Sequence, residues 1–158
     1  MADEVLRAPL VIEYPFSRTV GPAVGAFLTG LREQVVVGVR GADRRVIVPP
    51  TEYDPVTAEE LSELVEVGPD GEVLTWSWVD APRPEHPLDH PFAFALVKFD
   101  GADTGFLHAV DADQSAMASG MRVTVKWRAE REGHVRDIEC FVPVGPSGPG
   151  ERQGEAGS

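Results

Sequence analysis

The sequence predicts a mainly β protein in which an N-terminal helix and a β-hairpin precede a five-stranded barrel. Three observations lead to this fold class. Apolar and polar residues alternate in a series of strand-length runs over the second half of the 158-residue chain. Glycine-bearing turns separate most of these runs. One earlier stretch instead repeats its apolar residues at the spacing of an amphipathic helix.

The predicted helix covers residues 20–32. Ser17 or Thr19 could cap its N-terminus, and Pro22 suits a first helical turn. A helix with one apolar face must pack against another element, so this face belongs in a core. Its members are Val20, Val24, Phe27, Leu28 and Leu31.

A hairpin is predicted next. Residues 35–40 and 45–48 have the β-branched composition of strands, and Gly41-Ala42-Asp43 supplies turn residues between them. Pro49 and Pro50 end the second strand, because proline cannot donate to a strand ladder.

The barrel follows a linking segment. A short strand signal at residues 64–67 precedes five main ones, and residues 111–120 between the third and fourth form a candidate short helix closed by Gly120. Five strands with such an insert are the layout of an OB-fold, a partly open Greek-key barrel. The five main signals are residues 72–79, 92–99, 104–110, 121–129 and 135–142.

The chain therefore divides into residues 1–60 (helix and hairpin), 61–143 (barrel) and 144–158, a Gly/Pro-rich tail predicted to be disordered. The single cysteine, Cys140, falls in an apolar run and is predicted to be a buried structural thiol. No run approaches the roughly 20 apolar residues of a membrane span, and the N-terminus lacks a signal-peptide pattern. We expect a cytoplasmic protein that does not enter membranes.

A net charge of −12 opposes binding to nucleic acid, since such binding depends on neutralising phosphates. The basic hairpin near Trp127 is the one stretch that suggests an oligonucleotide groove. In strand geometry, however, Trp127 shares the face of Val123 and Val125, whereas Lys126 and Arg128 lie on the other. We therefore predict no nucleic-acid partner.

Candidate chemical groups are few. Arg40, Arg44 and Arg45 at the hairpin tip could clamp a phosphorylated ligand, or they could simply be solvated turn residues. His86 and His90 have a spacing that would suit a metal on a helix, but the surrounding prolines forbid that helix and favour an extended loop over the barrel mouth. No sequence elbow positions a nucleophile, so we predict no catalytic residue. His108 is predicted to be a hydrogen-bonded barrel residue rather than a base.

Several stretches resemble the DUF35 OB-fold family, whose members pair with thiolase-like enzymes that act on acyl-CoA. The resemblance spans about residues 10–143, and no single piece is specific alone. The stretches are YPFSRTVGP at 14–22, FLTGLRE at 27–33, VIVPP at 46–50, HPFAFALVKFDGAD at 90–103 and SGMRVTV at 119–125.

One departure from the family pattern concerns zinc. Typical members carry a rubredoxin-like zinc ribbon with two CxxC pairs, which would fall here near Gly41 and Arg44 and near Asp54 and Thr57. None of these is cysteine, and zinc needs thiolate or imidazole ligands. We expect a degenerate, metal-free rubredoxin-like hairpin without zinc. Its shape would be held by packing of three valines, Val36, Val46 and Val48.

The resemblance implies a non-catalytic accessory subunit of a thiolase-like or lipid-transfer-protein-like aldolase, in a heterotetramer. The implied reaction is a retro-aldol step in steroid or acyl-CoA side-chain degradation, with a CoA ester as substrate of the complex and no cofactor bound directly by this chain. Two alternatives stay open: a self-standing acyl-CoA binder that uses the three arginines, and a single-stranded nucleic-acid binder. Predicted partner contacts are Phe16, Phe27, Leu31, His90 and Phe92.

Overall fold

The structure is a computed structural model that describes residues 8–15 and 17–145. One α-helix precedes eight strands in the described residues, and two single-turn 3₁₀ helices, Gln114–Ala116 and Val135–Asp137, interrupt the later strands. The elements are α1 (Pro22–Arg32), β1 (Val36–Arg40), β2 (Val46–Ile47), β3 (Leu64–Val67), β4 (Asp70–Val79), β5 (Phe92–Phe99), β6 (Phe106–Val110), β7 (Arg122–Trp127) and β8 (Ile138–Pro143).

The last five strands form a closed barrel in the order β4-β5-β6-β8-β7. β7 returns to pair with β4, and β6 pairs with β8 in parallel at Val110 and Phe141, while the other neighbours are antiparallel. This mixed five-stranded closure confirms the predicted OB-fold class. The predicted short helix between β6 and β7 is a single 3₁₀ turn, and Gly120 after it adopts a φ of 84°.

β3 corrects one detail of the predicted organisation. It pairs with β1, from Val36 opposite Val67 to Val39 opposite Leu64, and completes a three-stranded sheet in the order β2-β1-β3. The predicted boundary after residue 60 had placed this strand with the barrel. A four-residue strand lying one turn ahead of β4 carries no pattern that distinguishes the two sheets, so only the pairing assigns it.

α1 begins at Pro22, and neither Ser17 nor Thr19 caps it as predicted. The Glu52 carboxylate performs this role from a distant loop, because it accepts the backbone N–H groups of the second and third helical residues at 3.1 and 2.9 Å. A carboxylate at this end also complements the positive end of the helix dipole. The cap was missed because its residue lies about 30 positions further along the chain, where local spacing rules do not reach.

A chain of aromatic rings joins α1 to the barrel. Phe27 meets Phe106 edge-on, with 6.2 Å between the ring centroids. The ring centroids of Phe106 and Phe99 are 5.6 Å apart, and those of Phe99 and Phe141 are 5.4 Å apart. All four side chains are buried in one continuous core. The core also includes the three hairpin valines whose packing was predicted, Val36, Val46 and Val48.

Polar contacts attach the hairpin to the barrel as well. The Val46 N–H donates to Asp103 Oδ2 at 2.8 Å, and the Val48 N–H donates to Thr104 Oγ1 at 2.8 Å. The same hydroxyl donates back to the Val48 carbonyl at 2.9 Å. The turn before β6 therefore satisfies the outer edge of β2, which would otherwise be an open strand edge.

Cys140 is fully buried in β8, and burial raises the pKa of its thiol to about 11. This confirms its predicted structural placement, because a thiol with so high a pKa is a poor nucleophile near neutral pH. Residues 146–158 of the predicted tail lie outside the described residues. Within the described part of the chain, no helix has the length and apolar character needed to cross a membrane.

Candidate functional site

The three arginines at the hairpin tip do not form an open phosphate clamp. Arg40 Nε contacts Glu63 Oε1 at 2.7 Å, and Arg45 pairs with Asp43. Arg40 also donates through Nη1 to the Arg44 backbone carbonyl at 3.1 Å. A phosphate would have to displace two carboxylates to be held here. The role of these arginines in holding CoA stays a prediction.

The predicted partner contacts need correction. Phe27, Leu31 and Phe92 are at most 4% exposed, so their side chains are not available to a partner. The apolar face of α1 packs on the chain's own barrel, which the helical spacing could not distinguish from packing on another protein. Phe16 lies outside the described residues. His90 is half-exposed and stays a candidate contact.

The proline-rich segment 82–91 is a loop, as predicted, but it lies against the face of β5 that points away from the barrel core. His86 meets Phe92 and Phe94 edge-on at 5.8 and 5.9 Å, and Leu88 is buried in the same small cluster. Phe92 and Phe94 alternate with core residues along β5, so both faces of the strand are covered at its N-terminal end.

His90 is held between two carboxylates. Its Nε2 lies 2.9 Å from Asp111 Oδ1, and its Nδ1 lies 3.2 Å from Asp89 Oδ1. The hydrogen bond to Asp111, followed by that to Asp89, raises the pKa of His90 above its usual 6.5. Protonated His90 can donate to both carboxylates at once and so ties the proline-rich loop to the end of β6.

This arrangement predicts a pH dependence. Because the folded-state pKa of His90 is raised, its contribution to stability is fully present below about pH 6.5 and is lost as the pH rises through the folded value. We expect His90→Gln to lower the melting temperature more at pH 6 than at pH 9, by on the order of 2 °C for this exposed pair. Asp113→Asn, at a nearby acid outside the pair, serves as control. An NMR titration that places the His90 pKa at or below 6.5 would contradict the assignment.

His108 lies within the barrel wall rather than at an open surface. Its ring stacks on Phe106 at 5.8 Å and meets Phe141 edge-on at 6.0 Å. Among the described residues its buried Nδ1 has no hydrogen-bond partner. Burial lowers the pKa of His108, and Arg128 acts in the same direction, against the nearby carbonyls of Ala109 and Val135. His108 is therefore neutral near pH 7.

Three leucines form an exposed apolar patch across adjacent barrel strands. Leu96 of β5 lies directly opposite Leu107 of β6, and Leu74 occupies the irregular position in β4 beside Leu96. These leucines are 39% (Leu74), 37% (Leu96) and 64% (Leu107) exposed. Gly105 lies against both Leu74 and Leu96, since a Cβ there would come within 3.4 Å of each. Because β5 is apolar along almost its whole length, alternation alone could not mark this face as surface.

A second apolar surface lies near the N-terminus. Leu10, Val11 and Ile12 are 85%, 68% and 74% exposed and form no regular secondary structure. Runs of exposed large apolar residues are uncommon on soluble proteins unless they meet another surface.

The two turns at which the family's zinc ligands would fall are joined by a carboxylate. Asp54 is 5% exposed, and its Oδ2 accepts the Ala42 N–H of the first turn at 2.9 Å. Its Oδ1 accepts the N–H groups of Val56 and Thr57 in its own turn at 2.8 and 2.9 Å. The described residues contain no group of three or more His, Cys, Asp or Glu side chains that could hold a metal ion. The absence of zinc stays a prediction.

These features define the chain as an OB-fold protein with a helix-and-sheet module packed on its barrel. Residues 64–128 match the family model of the C-terminal OB-fold domain of ChsH2. This match bears out the predicted resemblance of the barrel to the OB-fold domain of that protein.

Several solved structures are similar in fold, and two of them show the extent of the likeness. One is a protein of unknown function from the DUF35 family of Sulfolobus solfataricus, with a TM-score of 0.55 and 21% identity, covering 66% of this chain and 78% of that one. The other is the Ltp2-ChsH2(DUF35) aldolase, with a TM-score of 0.56 and 20% identity, covering 80% of this chain and 98% of that one. No curated protein matches the chain in sequence.

Proposed function

We propose that the protein is a non-catalytic accessory subunit of a lipid-transfer-protein-like or thiolase-like aldolase. One observation carries this proposal: the fold matches a chain of the Ltp2-ChsH2(DUF35) aldolase over 98% of that chain's length. The match includes the module before the barrel as well as the barrel, since it also covers 80% of this chain. The family model that matches residues 64–128 supports the same assignment.

In this proposal the partner enzyme supplies the catalytic residues and cleaves a carbon-carbon bond of a CoA ester by a retro-aldol reaction. The ester carries a steroid or other acyl side chain, and the two subunits assemble as a heterotetramer. The present chain buttresses the enzyme and binds no cofactor itself. The alternative in which Arg40, Arg44 and Arg45 hold acyl-CoA without a partner is less favoured, because Arg40 and Arg45 are already paired with carboxylates.

The leucine patch is the proposed contact with the partner subunit. Its side chains lie on three neighbouring strands of a rigid barrel, so an interface there costs little conformational ordering. Leu107 is the most exposed of them and lies beside Leu96, as expected for the anchor of an apolar interface core.

Co-expression with the lipid-transfer-protein-like or thiolase-like enzyme of the same organism tests the proposal. We expect the two proteins to co-elute in size-exclusion chromatography and the enzyme to cleave its CoA ester only in the complex. Leu107→Glu should weaken the complex at least tenfold, because it places a charge in an apolar interface. Leu64→Glu, at a 47% exposed leucine outside the patch, is the matched control.

Different outcomes separate the proposed function from the proposed surface. If the proteins never co-elute, or if the enzyme is equally active alone, the accessory function is wrong. If the complex forms but Leu64→Glu disrupts it and Leu107→Glu does not, the function stands and the interface lies on the N-terminal sheet instead.

A further inference from the structure

We infer that the groove between the proline-rich loop and the end of β7 is a binding site for a phosphate or diphosphate group. The groove consists of two adjoining cavities of about 350 and 370 Å³. Both are lined by Arg128 at the end of β7 and by His86 of the loop. We call it the anion groove. It is separate from the arginines at the hairpin tip and from the leucine patch.

Three arginines of the anion groove lack acidic partners. Arg83, Arg128 and Arg136 make no side-chain hydrogen bond or ion pair with any residue in 8–15 or 17–145. Elsewhere in the same part of the chain, arginines such as Arg40 and Arg122 are paired with carboxylates. In a protein of net charge −12, three unpaired guanidinium groups around one groove leave their donors available to an anionic ligand.

His86 adds a fixed donor. Its Nδ1 accepts the Arg83 backbone N–H at 3.1 Å, so the neutral ring carries its proton on Nε2. The ring is held in place by its edge-on contacts with Phe92 and Phe94. His108 lines the same groove and supplies a further buried ring whose Nδ1 lacks a partner in the described residues.

Most acidic side chains that line the groove are already engaged. Glu139 accepts from Lys126 at 2.9 Å, and Asp89 contacts His90 at 3.2 Å. Glu85 is the one lining carboxylate without a described ion pair, against three free arginines. A further cavity is lined by Arg128 and Arg136 together with three acidic residues, Glu130, Glu132 and Asp137, so we do not include it in the site.

The excess of unpaired arginines over unpaired carboxylates favours a compact anion with at least two negative charges. Guanidinium groups bind the oxygens of phosphate bidentately, and a diphosphate can bridge Arg128 and a second arginine, whereas a single carboxylate cannot. A nucleic-acid strand is disfavoured, because it would need a longer basic surface than this acidic protein offers. The predicted ligand is therefore a phosphorylated small molecule or its free phosphate equivalent.

Isothermal titration calorimetry on the full chain tests the inference with inorganic phosphate, pyrophosphate and ADP. We expect pyrophosphate and ADP to bind more tightly than phosphate. Arg128→Gln and Arg136→Gln should each raise the pyrophosphate dissociation constant about tenfold or more. Arg122→Gln, an equal change of charge at an arginine that is paired with Asp100 outside the groove, should leave it unchanged. In NMR spectra, pyrophosphate should shift the His86 Nε2 resonance, which a purely structural role of Arg128 would not affect.

Tighter binding of ADP than of pyrophosphate would identify a nucleotide as the ligand of the groove. Equal binding of the two would show that the groove recognises the diphosphate group alone. The inference is overturned if none of the three anions binds, if Arg128→Gln binds as well as wild type, or if a single-stranded oligonucleotide binds where pyrophosphate does not. Melting curves of the variants report their folding. The calorimetry uses this chain without a partner. The anion groove can therefore be contradicted or supported separately from the proposed accessory function.

Discussion

Replacing Asp54 by asparagine is expected to lower the melting temperature by on the order of 10 °C. The wild-type carboxylate accepts three backbone N–H groups and is almost fully buried, so it joins the loop at Ala42 to the loop at Val56 and Thr57. Asparagine fills the same volume but replaces one oxygen by a donor, which leaves at least one buried N–H facing another donor. Differential scanning calorimetry measures the change.

The same hydrogen bonds predict the pH range in which Asp54→Asn no longer lowers the melting temperature. Hydrogen bonds from the backbone of Thr57, then of Ala42 and Val56, lower the pKa of Asp54 below its usual 3.8, against the opposing effect of burial. Because the folded-state pKa is depressed, the contribution is present above about pH 3.8 and is lost as the pH falls through the folded value. The difference between wild type and Asp54→Asn should therefore narrow in strong acid.

Asp43→Asn is the matched control for this experiment. Asp43 lies in the first of the two turns, but it is about half-exposed and pairs mainly with Arg45, so its replacement should change the melting temperature by no more than about 2 °C. Equal effects of the two substitutions would show that Asp54 does not join the turns in solution.

Phe106→Ala is expected to destabilise the whole protein by about 3–5 kcal/mol. Phe106 is the ring through which α1 meets the barrel, since it contacts Phe27 on one side and Phe99 on the other. Truncation leaves a cavity between two elements that are each held by other contacts and cannot collapse freely. Urea denaturation followed by tryptophan fluorescence and by helical circular dichroism measures the loss.

Phe106→Leu keeps most of the buried volume and should cost clearly less than the alanine variant. In both variants the fluorescence and dichroism transitions should coincide, because α1 and the barrel share one core. A helix signal that melts well before the fluorescence signal would contradict this common core. An unchanged urea midpoint in Phe106→Ala would contradict the packing itself.

Much of the fold could be predicted from local pattern. β5 was predicted at its observed bounds, and the helix of residues 20–32 was placed within two residues of its start. Glycine turns and alternation specified the barrel strands, because each of these signals acts over a few neighbouring residues. The local pattern could not predict which distant elements contact each other. β3 pairs with β1, and Glu52 caps a helix that begins 30 positions earlier.

The candidate surfaces were predicted less well for the same reason. Phe27, Leu31 and Phe92 are apolar in the sequence whether they meet their own barrel or another protein, and the structure buries all three. Leu107 and Leu96 are equally apolar, yet strand pairing leaves them exposed side by side. Arg128 was recognised as part of a basic hairpin, but the loop that faces it across the groove comes from 40 residues earlier.

The sequence by itself determined the class of fold, the burial of Cys140 and the lack of cysteine ligands at the two turns, because side-chain type and local spacing suffice for these. Only the tertiary structure decided which apolar residues are surface, which charges are already neutralised, and that Asp54 joins the two turns. These properties depend on distances between residues far apart in the chain. Such distances are set by packing, which no local pattern encodes.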